Sequence, residues 1–87
     1  MTNITGNSGD NTLDGTENDD LILGLAGNDT MSGLGGNDIL AGGSGSNLLT
    51  GGAGLDVFRM DTRDQHTDTI TDFTIGTDQI DISILNV

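Results

Sequence analysis

With 87 residues the chain has room for one small domain, and with 32% hydrophobic and 2% aromatic residues it lacks the material for a conventional close-packed core. Thirteen Asp and one Glu outnumber two basic residues, Arg59 and Arg63; the net charge of −12 repels phosphate backbones and anionic lipid, argues against nucleic acid as a partner and favours cations. Cysteine is absent, which removes disulfides and thiolate metal sites.

The start, MTNITGNSGD, carries neither a basic region nor an apolar segment, and no later apolar run could span a bilayer, so neither a signal peptide nor a membrane span is expected. Residues 1–5 look like the strand of a unit whose turn is missing, because Ile4 stands nine residues before Leu13. From Gly6 to Arg59 a period of nine governs the chain without insertion: GNSGDNTLD, GTENDDLIL, GLAGNDTMS, GLGGNDILA, GGSGSNLLT and GGAGLDVFR. The first position is Gly in all six units. The fourth is Gly in five and Asn18 in the other, the residue types that tolerate positive φ, so a left-handed turn is expected there. The sixth reads Asn11, Asp20, Asp29, Asp38, Asn47 and Asp56, each a short side chain with an acceptor oxygen. The eighth reads Leu13, Ile22, Met31, Leu40, Leu49 and Phe58, always apolar.

Six turn-forming residues followed by three with a central apolar side chain predict a tight turn feeding a very short strand. Two units then make an 18-residue coil, with strands alternating between two facing parallel sheets and coils stacked about 4.8 Å apart. The eighth-position residues point inward in this all-β roll of about three coils. One outer face carries Thr12, Asp14, Thr30, Ser32, Leu48 and Thr50, and the other Leu21, Leu23, Ile39, Ala41 and Val57. The second face is too apolar for water, so either the terminal segment folds over it or a partner domain or second copy docks there. After Arg59 the period fails. Phe73 and Ile75, then Ile80, Ile82 and Ile84, alternate on either side of Gly76-Thr77-Asp78, and residues 60–87 are expected to form a β cap of two strands joined by a turn.

Stacking brings the acidic sixth positions together every second repeat, and without a counter-ion like charge accumulates. Oxygen-only donors, with no His or Cys in the repeats, select a hard cation, and the flexible six-to-eight-oxygen geometry suits Ca2+ better than Mg2+. Asp10, Thr12, Asp14 and Gly15 imitate the start of an EF-hand loop, but its twelfth position would be Leu21 in place of Glu. His66, between Asp64 and Asp68, reads as an exposed loop residue, and Asp68, Asp72, Asp78 and Asp81 as solvated cap residues with a further ion site as the alternative. No G-x-S-x-G, H-E-x-x-H or Walker pattern occurs, and no catalytic residue is expected.

The six units resemble the calcium-binding nonapeptide GGxGxDxUx of the RTX (repeats-in-toxin, hemolysin-type) proteins, and DVF, DTITDF and GTDQIDIS resemble the segment that follows the roll in serralysin-type secreted proteases. The resemblance implies a right-handed parallel β-roll holding about four calcium ions, each between one turn and the next on the same side. The lower turn would offer the carbonyls of positions two and four and its sixth-position side chain, the upper turn the carbonyls of positions one and three and its own sixth-position side chain. One stack would then hold ions among Thr16, Asn18, Asp20, Gly33, Gly35 and Asp38, and among Leu34, Gly36, Asp38, Gly51, Ala53 and Asp56. The opposite stack would use Asn7, Gly9, Asn11, Gly24, Ala26 and Asp29, then Leu25, Gly27, Asp29, Gly42, Ser44 and Asn47. Asn11 and Asn47 depart from the family's Asp, so the Asp20/Asp38/Asp56 stack is expected to fill first. By resemblance the chain is a non-enzymatic, secreted module that folds on binding calcium after type I export. The alternatives are a polysaccharide- or partner-binding module and the non-catalytic tail of a secreted protease, lipase or toxin.

Overall fold

The computed structural model describes residues 2–59, 68–73 and 77–81. Within them lie nine strands: β1 (Thr2–Thr5), β2 (Thr12–Asp14), β3 (Asp20–Leu23), β4 (Thr30–Ser32), β5 (Ile39–Ala41), β6 (Leu48–Thr50), β7 (Val57–Arg59), β8 (Thr69–Ile70) and β9 (Gln79–Asp81). Odd strands form one sheet in the order β1-β3-β5-β7-β9, and even strands the other, β2-β4-β6-β8. Every pairing is parallel, and within the repeats its register follows the doubled period, Ile22 opposite Leu40 opposite Phe58 and Leu13 opposite Met31 opposite Leu49. Such strands are too short to bury anything alone, and stacking supplies the missing contacts. No helix among the described residues is long and apolar enough to cross a membrane.

The eighth positions make the core. Ile22, Met31, Leu40, Leu49 and Phe58 are fully buried in one cluster, with Ile4, Leu13 and Ile70 packed against it and half-buried. The flanking Leu21, Leu23, Ile39, Ala41 and Val57 are half-buried on the odd sheet, whereas the large apolar side chains most open to water include Leu25, Leu34 and Leu55 on the turns.

The expected left-handed fourth position holds for Gly27, Gly36, Gly45 and Gly54 but not for Gly9 or Asn18. Unforeseen is a second left-handed residue at position two in the same four units: Leu25 (φ 70°), Leu34 (φ 67°), Gly43 (φ 77°) and Gly52 (φ 83°). The first two turns fold differently. Asn7 and Thr16 hold position two there, and their side chains bend the turn locally, Asn7 Oδ1 accepting from Gly9 N–H at 2.8 Å and Thr16 Oγ1 from Asn18 N–H at 3.1 Å. Position one is Gly for another reason, close approach. A methyl group at Gly15 would lie 2.6 Å from Asp20 Oδ2 and 2.7 Å from the Gly33 carbonyl oxygen.

In the C-terminal segment the two described strands lie over the last repeat coil, one added to each sheet. Its described strands do not pair with each other: β8 adds to β6 and β9 to β7, both in parallel, so the segment continues the roll by another coil. β8 also begins ahead of Phe73, where the first of the two strands was expected. Ile80 does fall in register with Phe58, but Ile75, Ile82 and Ile84 lie outside the described residues, as does His66. The buried ladder of position-six N–H groups requires acceptors from a coil stacked above, and Asp68 and Asp78 of this segment supply them.

Candidate metal centre

Each turn ends at its sixth position, where the chain enters a strand, so the backbone carbonyl there joins the sheet: Thr30, Leu48 and Val57 N–H donate to Asn11, Asp29 and Asp38 O at 2.8 Å. The N–H of the same residue has no strand partner and is met by a side chain from the coil above. Asn11 N–H donates to Asp29 Oδ1, Asp20 N–H to Asp38 Oδ1 and Asp29 N–H to Asn47 Oδ1, each at 2.8 Å, and Asp38 N–H to Asp56 Oδ1 at 3.0 Å. The ladder passes into the last coil, where Asn47 N–H donates to Asp68 Oδ1 at 2.9 Å and Asp56 N–H to Asp78 Oδ1 at 3.0 Å. A second ladder, not foreseen, runs through position five. Asp10, Asp19, Asn28 and Asn37 each accept, through Oδ1, the position-five N–H of the unit two ahead, at 2.7–2.9 Å. Its signal in the sequence is a short polar residue at that position in five of six units.

One oxygen of each position-six carboxylate is thus committed to the backbone. The other distinguishes inner turns from outer ones. Asp29, Asp38 and Asp56 are at most 1% exposed, and the Oδ2 of each has no hydrogen-bond partner. For Asp29 and Asp38 a second acceptor lies near this oxygen over the first-position glycine: a methyl group at Gly24 would lie 2.5 Å from Asp29 Oδ2 and 2.7 Å from Gly42 O, and one at Gly33 would lie against Asp38 Oδ2 and 2.7 Å from Gly51 O. Two oxygens converging in a buried place with no donor between them are costly unless a cation joins them. Burial accordingly raises all three carboxyls against the lowering effect of the ladder bonds. Asp38 is pushed up to about 7, with the charges of Asp56, Asp20 and Asp19 adding to burial, and Asp56 to about 6, with those of Asp78 and Asp72 adding. Asp29 is raised in the same direction, with Asp10 adding.

The outer turns satisfy the same position internally. Asp20 Oδ2 accepts Thr16 N–H at 2.7 Å, and the Thr16 hydroxyl reaches both of its oxygens at 3.1 Å. Asn11 Oδ1 accepts Asn7 N–H at 2.9 Å. Of the four expected donor sets, the structure therefore gives orphaned carboxylates to both turns of Leu34, Gly36, Asp38, Gly51, Ala53 and Asp56, and to the lower turn of Leu25, Gly27, Asp29, Gly42, Ser44 and Asn47. The sets beginning at Thr16 and Asn7 have orphans only on their upper turns, Asp38 and Asp29. The division runs by coil more than by stack. Among the position-two carbonyls, Leu25 O and Leu34 O also accept Ser44 N–H at 2.9 Å and Ala53 N–H at 3.0 Å, which aims them at the turn above and leaves each a second lone pair. Among the described residues no three acidic or His side chains gather at one point, so any ion relies on backbone carbonyls as well as carboxylates.

Stacked nonapeptide turns with paired oxygens between them define a parallel β-roll with hard-cation donor sets. The family model for the RTX calcium-binding nonapeptide repeat matches residues 5–40 and 32–59, well over half of the chain, and the chain belongs to that family. Among solved structures, that of the AlgE6R3 subunit from the Azotobacter vinelandii mannuronan C5-epimerase is similar, with 39% identity and a TM-score of 0.82 over 92% of this chain and 49% of that one. The chain thus spans about half of that subunit. No curated protein matches it in sequence.

Proposed function

We propose that calcium ions seated between stacked turns fold this RTX module, and that it serves a secreted protein as a non-enzymatic part. It would remain unfolded at the low free calcium of a cell interior and fold in the millimolar calcium outside. The observation that carries this reading is the set of buried, unpartnered carboxylate oxygens on Asp29, Asp38 and Asp56. At neutral pH such charges oppose folding until a cation joins them, and the cation's binding energy then becomes folding energy. About four ions are proposed, the pair over Asp38 and Asp29 binding most strongly. Circular dichroism in the far ultraviolet provides the test: calcium should convert a chelator-treated, largely disordered chain into β structure, and equal magnesium should do much less, since it gives up its waters reluctantly. A chelated chain that keeps its full β spectrum and melts cooperatively would overturn the proposal.

A second reading draws on the likeness to a subunit of a polysaccharide-modifying enzyme, and makes this module one that holds an attached enzyme on a glycan. The net charge of −12 opposes an anionic glycan, so binding would fall to neutral chains or depend on bound calcium. Binding to a glycan array, with and without calcium, separates the two.

A further inference from the structure

The position-five ladder is built from two kinds of side chain. Asp10 and Asp19 carry it in the first coil and Asn28 and Asn37 in the second, and the bonds are alike. Asn28 N–H donates to Asp10 Oδ1 at 2.8 Å and Asn37 N–H to Asp19 Oδ1 at 2.7 Å, while Ser46 N–H donates to Asn28 Oδ1 at 2.9 Å and Leu55 N–H to Asn37 Oδ1 at 2.8 Å. A neutral amide therefore fulfils the structural task, and the charge on Asp10 and Asp19 is additional to it. That charge stands in the two turns whose sixth-position side chains are committed to their own backbone. Asn11 is neutral and its Oδ1 accepts Asn7 N–H at 2.9 Å, and Asp20 Oδ2 accepts Thr16 N–H at 2.7 Å. In turns three and four, where position five is an amide, the sixth-position Asp29 and Asp38 each keep an oxygen without a partner. The ladder bonds also fix where the charge lies, since Asn28 and Asn37 directly precede Asp29 and Asp38. Asp10 adds to the raised carboxyl of Asp29 and Asp19 to that of Asp38, so both charges reach the space between the first and second coils.

We propose that Asp10 and Asp19 attract divalent cations to the gap between the first and second coils through space, without ligating them, and replace the charge that turns one and two commit to their own hydrogen bonds. This rests on the calcium reading above and gives a role to a position outside its donor sets. Both side chains are exposed, and an N–H of the turn above holds one oxygen of each, so the carboxylate is fixed in place yet solvated. A solvated charge acts on an ion over about one Debye length, ~8 Å at physiological ionic strength, and the effect is a few-fold in affinity that fades as salt rises. Without metal the same placement works against folding, because Asp10 repels Asp29 and Asp19 repels Asp38. The two acids thus disfavour the metal-free roll and favour the loaded one, which sharpens the dependence of folding on calcium.

Calcium titration of the full chain, followed by far-ultraviolet circular dichroism at low salt and at ~1 M salt, tests the assignment. Asp10→Asn/Asp19→Asn keeps both ladder bonds in the form Asn28 and Asn37 already use, so it should reach the parent's spectrum at saturation. Its midpoint should be raised about two- to tenfold over the parent's at low salt, and that ratio should fall toward one at ~1 M. An unmoved midpoint at low salt overturns the proposal, because the charge then has no effect on the ion. A rise that persists undiminished at ~1 M salt overturns it as well, because the residues then act by contact. If the parent itself shows no response to calcium, the calcium reading fails, whereas a responsive parent matched by the variant sinks this proposal alone. Should the variant not fold, Asn28→Asp/Asn37→Asp decides. It adds charge at the upper rungs without removing a bond and should lower the low-salt midpoint by a similar factor, and an unchanged or higher midpoint refutes the role of position-five charge.

Discussion

Replacing Asp38 by Asn should have opposite effects with and without calcium. Asp38 Oδ1 accepts Asp20 N–H at 2.8 Å, and an amide oxygen can keep that bond. Oδ2 faces the Gly51 carbonyl with no donor between them, and an amide –NH₂ placed there supplies one. Burial, with repulsion from Asp56, Asp20 and Asp19, lifts the Asp38 carboxyl from 3.8 to about 7. At ~1.36 kcal/mol per pH unit, ionised Asp38 costs the calcium-free roll about 4 kcal/mol. For an acid raised in the fold, the penalty is absent below the unfolded value near 4, grows as pH rises toward 7 and is complete above it. Asp38→Asn should therefore stabilise the calcium-free roll at pH 8, by up to about a thousandfold in the folded-to-unfolded ratio at ~1.4 kcal/mol per decade. The gain should vanish near pH 4, where the parent's carboxyl is protonated.

The assay is osmolyte-driven folding in chelator, followed by far-ultraviolet circular dichroism at both pH values, because excluded osmolytes favour compact states without supplying a ligand. The variant should fold at lower osmolyte at pH 8 and level with the parent in acid. In calcium the order should invert, since two of the proposed sites share Asp38 and each loses a charged ligand. A variant less stable than the parent in chelator at pH 8 would refute the reasoning, because it would mean that the carboxylate is satisfied without a metal.

Leu34 holds a left-handed backbone that Gly43 and Gly52 hold at the equivalent position, and its side chain is 44% exposed, so Leu34→Gly should relieve strain and add about 0.5–1 kcal/mol, read as a higher melting temperature in calcium. Gly33→Ala should cost about 1–3 kcal/mol and raise the calcium midpoint, since its methyl group meets Asp38 Oδ2 and Gly51 O, whereas Gly9→Ala, whose nearest neighbour is Asn7 Oδ1 at 3.3 Å, should be nearly silent. Asn47→Asp preserves the oxygen that accepts Asp29 N–H and adds charge opposite Asp29, so it should lower the calcium midpoint in a spectroscopic titration. An unchanged or higher midpoint would mean that turns three and five do not share an ion.

The period and the residues at its sixth and eighth positions were enough to place the repeat strands, the core and the stacking of the sixth-position side chains, because a solenoid repeats one local solution and each position keeps its environment. Leu25 and Leu34 hid the left-handed second position, since leucine avoids that backbone and nothing in its chemistry announces it; Gly43 and Gly52 at the same place were the available signal. The self-capped outer turns were hidden for a different reason. Thr16 and Asn7 were read as carbonyl donors, and only the fold shows their own N–H groups taking up the sixth-position side chains. The last coil escaped because its spacing changes: Asp68 lies 21 residues beyond Asn47 and Asp78 lies 22 beyond Asp56, so a search at eighteen passes both by.

The two side-chain ladders run in opposite directions, and that explains why ion binding and folding belong to one event. At position six the acceptor is carried by the later turn, and at position five by the earlier one. Neither bond exists within a single turn, so both appear only when two turns stack, and stacking is also what brings the carboxylate oxygen of one turn against the first carbonyl of the next. For Asp29, Asp38 and Asp56 the contacts that satisfy the backbone thus leave a buried carboxylate oxygen that a cation would satisfy, whereas Thr16 N–H satisfies that of Asp20 within its own turn. The ends of the ladders follow from the same logic. The position-five ladder reaches Ser46 and Leu55 from Asn28 and Asn37, and the acid ladder runs on through Asp68 and Asp78. The buried N–H groups of Asn47 and Asp56 require an acceptor from above, and the terminal coil, which has lost the nine-residue period, still supplies it.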